Sequence, residues 1–176
     1  MRSDLWLPVA VVVVAAPAHA VTYLTVQQAQ EAIFPGAAFT AGFRELGRDQ
    51  VRRIEELSGT SVPAAKVNMW DVSGGGYFFI DEVIGKHDYI TYAVGLDRTG
   101  AVQGLEIMDY RETRGDEVRQ QAWRETFDGK RYGEPIRLGV DIPNISGATL
   151  SCRHITDGVR RILAIYEILV QAKVPE

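Results

Sequence analysis

Thr149 stands at the front of the longest helical pattern in the chain, and its hydroxyl closes a run of small residues, Ser146-Gly147-Ala148-Thr149. Behind it come apolar residues at Leu150, Ile155, Val159, Ile162, Leu163, Tyr166, Leu169 and Val170. That three- and four-residue spacing predicts an amphipathic helix packed on a core. The first backbone N–H groups of a helix have no intrahelical partner, and the macrodipole is positive there. A phosphate beside Thr149 would therefore meet donors and a favourable field. Gly147 and Ala148 offer no side chain that would hold it away from the backbone. The plain alternative is a helix capped by Ser151 after an ordinary turn at Ser146-Gly147.

Ser146-Gly147-Ala148-Thr149, followed by Leu150-Ser151 and a helix, resembles the flavinylation motif of FMN-binding domains. Such domains occur in the covalent-FMN subunits of Na⁺-translocating quinone reductase and of the Rnf electron-transport complex. A second stretch is similar in order and spacing: Gly76-Tyr77, a strand-like run, Arg98-Thr99-Gly100-Ala101-Val102-Gln103-Gly104-Leu105-Glu106-Ile107, then Glu112-Thr113-Arg114-Gly115. The likeness spans roughly residues 66–170. It implies an α+β fold, an antiparallel sheet with packed helices. It also implies a phosphoester between FMN and Thr149, placed by a separate Mg²⁺-dependent flavin transferase with FAD as the FMN source. The cofactor-binding residues it implies are Ser146, Gly147, Ala148, Thr149, Leu150 and Ser151, with Glu112, Thr113 and Gly115 from a loop that the family places near the flavin. The family motif usually has an aspartate three positions before the serine. That position is Pro143 here, and the nearest acid is Asp141, which a bulged turn at Pro143-Asn144 would bring forward. Two other readings stay open beside the covalent one: a noncovalent FMN or small-ligand binding module, and a non-redox interaction domain of the same fold.

Flavin supplies redox chemistry by itself and asks the protein for flat apolar contact and a few hydrogen bonds. Trp70, Tyr77, Trp123 and Tyr132 are candidates for that contact, each with core packing as the stronger alternative. Arg153, with the Ser146 and Ser151 hydroxyls, is a candidate to counter a phosphate. No nucleophile, base and orienting group assemble, so no catalytic residue is assigned and an electron carrier is expected rather than a stand-alone enzyme. Its implied partners are the transferase and redox proteins such as a membrane oxidoreductase or a periplasmic cytochrome. No metal site is expected, because Cys152 is the only cysteine and His87 and His154 lie in different segments.

The elements that must position these residues follow from patterning. Residues 1–20 read as a secretory signal, with Arg2 near the start, an apolar run and Ala18-His19-Ala20 as the cleavage site, which predicts an exported, periplasmic chain. Arg2 and Asp4 would leave with it, so the net charge stays at −4, which argues against a nucleic-acid partner. Residues 21–65 read as an N-terminal helical segment, with helices over 25–34, capped by Thr25, and 49–57. Residues 66–176 are the span of the FMN-binding domain that the resemblance implies, expected as one compact unit with 21–65. Four strands are expected over 67–70, 77–84, 89–96 and 102–108, with Gly74-Gly75-Gly76 as a hairpin loop. A helix is expected over 116–127, with Val118, Ala122, Trp123 and Phe127 on one face.

Overall fold

The computed structural model describes residues 21, 22 and 24–171, so the expected signal sequence lies outside the described residues. The core is an antiparallel meander: β4 (Lys66–Val72), β5 (Gly76–Ile84), β6 (Tyr89–Leu96) and β7 (Val102–Tyr110). These are the four expected strands, and the fold is α+β as expected. Three short strands extend the sheet: β1 (Val21–Thr22) on β7, and β2 (Phe39–Ala41) and β3 (Arg44–Glu45) on β4. Segment 21–65 thus contributes strands as well as its two helices.

Alternation along each strand divides the side chains between two faces. Phe79, Val83, Tyr92, Val94, Leu105 and Ile107 point into the larger core, which α4 (Thr149–Leu169) covers. Phe78, Ala93 and Met108 point the other way, onto Ala29 and Ile33 of α1 (Val26–Ile33). Thr25 caps α1 through a reciprocal pair of bonds with Gln28. α2 (Arg48–Ser58) packs against α4. The expected apolar face of α4 is buried except at its two ends, where Leu150 is 40% exposed and Val170, just past the helix, is half-buried.

The predicted continuous helix over 116–127 is corrected by the structure. A 3₁₀ turn (Asp116–Arg119) replaces its start, and after Gln120, in an extended conformation, α3 (Gln121–Arg124) runs directly into a second 3₁₀ turn (Glu125–Phe127). The break resets the helical phase so that Val118, Trp123 and Phe127 are all buried, whereas Ala122 is exposed. An unbroken helix would carry 118 and 123, five residues apart, to different faces.

Candidate functional site

Register brings two distant segments to one end of the sheet. Ile90 pairs with Tyr110, so the β5–β6 turn (85–88) and the chain leaving β7 (111–115) are neighbours. The start of α4 joins them. Together they line a cavity of about 450 Å³ formed by Lys86, His87, Glu112, Thr113, Arg114 and residues 147–151.

Thr149 is exposed and is the first residue of α4. No side chain caps this helix, and its first bond runs from the Cys152 N–H to the Ala148 carbonyl. The N–H groups of Thr149, Leu150 and Ser151 therefore have no intramolecular partner among the described residues, at the positive end of a 21-residue helix. The Thr149 hydroxyl is likewise without a partner there. An anion in the cavity would meet these donors and the cations Lys86 and Arg114.

Hydrogen bonds tie the three segments together. The Glu112 carboxylate accepts the His87 N–H at 2.5 Å and the Asp88 N–H at 3.0 Å, closing the hairpin tip onto the loop after β7. The Tyr110 hydroxyl donates to the Arg114 carbonyl at 2.7 Å and lies 2.9 Å from Ser151 Oγ. A phenol has one proton, so Ser151 must donate to Tyr110. Burial pushes the Tyr110 phenol up; the Ser151 bond pulls back, and the carboxylates of Glu112, Asp116 and Glu117 push further up, leaving it a protonated donor. From below, the His154 Nδ1–H donates to the Ile84 carbonyl at the root of the same hairpin. Gly115 sits where a Cβ would come within 2.6 Å of the Tyr110 hydroxyl and 3.3 Å of Ala148, at a φ of +92°. Only glycine lets this loop lie so close to the Ala148 turn.

Of the residues expected from sequence, Glu112, Thr113, Gly147, Ala148, Thr149, Leu150 and Ser151 share the cavity wall, while Ser146 and Gly115 do not line it. Two roles change. Glu112 is occupied by backbone N–H groups and so holds the hairpin, and the Ser151 proton is spent on Tyr110 rather than available to a phosphate. Arg153 is exposed and does not line the cavity; Lys86 and His87 stand there instead. The four ring-contact candidates do not line it either. Trp70 packs on Phe43 and Phe78, Tyr77 on Tyr166, and Trp123 on Phe127 with its indole N–H on the Pro143 carbonyl. Tyr132 lines a different cleft, beside Arg131 and Arg160. Burying such large apolar surfaces in the core dominates their placement. Asp141 takes the Arg137 N–H at 3.1 Å within its own turn, so it is engaged there rather than standing in at position 143.

The sequence model of a family described as the FMN-binding domain matches residues 85–164, from the tip of the β5–β6 hairpin through most of α4. Over those residues the chain is similar to an FMN-binding domain. Among curated proteins the chain has no match. The match begins at the hairpin, which was not among the site residues expected from sequence, and includes every residue lining the Thr149 cavity. Cys152, just beneath it, is fully buried, and burial pushes its thiol up, so it serves as a small core residue. Among the described residues no cluster of three or more potential ligands could hold a metal ion, and no helix is long and apolar enough to cross a membrane.

The Glu112 clamp gives a pH prediction. Its burial raises the carboxyl, but the N–H groups of Asp88, His87 and Lys86 and the charge of His87 outweigh that and hold it below the usual glutamate value. A lowered carboxyl stabilises the folded state fully above the ordinary glutamate range and loses that contribution as pH falls through the lowered value. The amide signals of His87 and Asp88 should titrate together in that acid window. In Glu112→Gln they should not titrate there, and the hairpin amides should exchange faster.

Proposed function

We propose that this FMN-binding domain carries its flavin covalently, as a phosphoester on Thr149, and works as an exported electron carrier. One observation carries the reading: a free, exposed hydroxyl at the uncapped start of a long helix, in a cavity with cationic walls. The residues fit the group. The N–H groups of residues 149–151 and the Lys86 ammonium would hold the phosphate, and Leu150, exposed on the cavity wall, offers apolar contact. Bound flavin supplies one- and two-electron chemistry. The protein's own contribution is to anchor, orient and partly desolvate it. A flavin transferase using FAD would mature the protein, and the electron partners would be a membrane oxidoreductase or a periplasmic cytochrome.

The test is intact mass of the full chain made in an exporting host, with and without a flavin transferase. A gain matching one esterified FMN, dependent on the transferase, supports the reading; no gain where a control domain is modified refutes it. A noncovalent FMN module is the second reading, favoured by Pro143 and by Asp141 being held by Arg137. In either case Lys86→Gln should weaken binding of free FMN to the unmodified protein by roughly 5–10-fold at low salt, the effect of one charge-assisted contact at an open site. Added salt should shrink the difference, measured by fluorescence quenching of FMN.

A further inference from the structure

A second cleft, sharing no residue with the Thr149 cavity, opens between α4, the β4–β5 pair and the connector 62–64, with a volume of about 390 Å³. Its walls combine apolar side chains, including Val67, Phe79, Ile162 and Ile165, with the exposed Lys66, Asn68 and Glu82, and its size lies in the range of small-ligand pockets. At its base is an ion pair that the flavin reading does not use. Arg161 is 6% exposed on an otherwise apolar helix face. Its Nη2 meets Asp81 Oδ2 at 2.6 Å and its Nε the same oxygen at 3.2 Å, while Nη1 donates to the Ser61 carbonyl. The Tyr92 hydroxyl donates to the same Oδ2 at 2.7 Å.

All three donors converge on Oδ2. Oδ1 receives none among the described residues and is not among the buried polar atoms left without a partner, so it keeps accessible surface on a side chain that lines the cleft. We propose that this cleft binds a small uncharged ligand with an aromatic or branched apolar body and one hydroxyl or N–H that donates to Asp81 Oδ1. Charge selects the class. Arg161 already balances Asp81 at the base, and the exposed Lys66 and Glu82 on the same walls add one charge of each sign, so the lining is neutral overall and favours neither a cation nor an anion. A neutral donor satisfies the open lone pairs and leaves the pair intact. The proposal holds whether or not Thr149 carries flavin.

The test uses the full chain, isotope-labelled, titrated with para-ethylphenol and with benzylamine and benzoate as charged counterparts. The phenol should shift the amide signals of Val67, Phe79, Asp81 and Ile162 and saturate with a Kd of about 1 mM or tighter. Both charged compounds should bind at least about tenfold more weakly. Ala64→Trp, on the exposed connector at the cleft mouth, should abolish the phenol shifts while leaving the remaining spectrum folded. Asp81→Asn should weaken the phenol if it folds; Ala64→Trp decides the question if it does not. Equal binding of the charged compounds, shifts that do not saturate, or phenol binding unchanged by Ala64→Trp would each overturn the proposal.

Discussion

Thr149→Ala is expected to gain no flavin mass at all in a host where the parent chain gains one FMN per molecule. The loss should be complete because the phosphoester needs an oxygen, and nothing else in the variant supplies one at that place. It should also be separable from misfolding. Thr149 is exposed and its hydroxyl has no hydrogen-bond partner among the described residues, so removing it breaks no contact. Alanine is the better helix former, and exposed substitutions of this kind usually stay within about 0.5 kcal/mol. The far-UV spectrum and melting temperature should therefore match the parent. Thr149→Val, which keeps the shape without the hydroxyl, should fail in the same way, and Thr149→Ser should retain modification. Flavin on Thr149→Ala, located by peptide mapping, would move the attachment to another residue and sink the reading.

Arg161→Met is expected to be the most damaging single change away from the cavity. Removing the guanidinium leaves the Asp81 carboxylate with the Tyr92 hydroxyl as its only hydrogen-bond donor among the described residues, and strips the Ser61 and Glu82 carbonyls of a donor. Breaking one partner of a buried pair costs about 3–5 kcal/mol, and the lower end applies because the Asp81 side chain is 24% exposed. Urea unfolding should show that drop as a shift in midpoint at unchanged slope. The double variant Asp81→Leu with Arg161→Met should recover much of it, since no uncompensated charge then remains. A loss below about 1 kcal/mol for the single change would mean that water already screens the pair.

Most of the architecture was legible from periodicity and punctuation. Helices α1, α2 and α4 announce themselves through apolar spacing and clear stops, and the meander through alternation between glycine-bearing turns. Strands β2 and β3 were not legible, because three and two residues are too short to show a period. Residues 116–127 misled for the opposite reason: apolar residues at nearly helical spacing hid a break that only the competition to bury both Val118 and Trp123 explains. At the site, the Thr149 turn and the loop of Glu112 were readable as motifs. Lys86 and His87 were not, since they carry no motif. One signal was present. In an antiparallel meander, the turn between the second and third strands and the chain leaving the fourth lie at the same end of the sheet, which is where these residues meet Glu112. The aromatic candidates were chosen by chemistry alone, and the core claimed three of the four.

Gly158 lies against Tyr92 so closely that a Cβ there would come within 2.0 Å of the phenolic oxygen. The tyrosine acts as a key in a slot cut through the helix surface, and a key fixes rotation as well as distance. Thr149 is nine residues further up the same rod, about 13 Å along its axis. Slipping α4 by one residue would swing the hydroxyl by about 100° and carry it off the cavity. The aim of the anchoring oxygen is thus set at a contact that never touches the ligand, and substitutions at Gly158 should be read as misalignment of the site even when the fold survives.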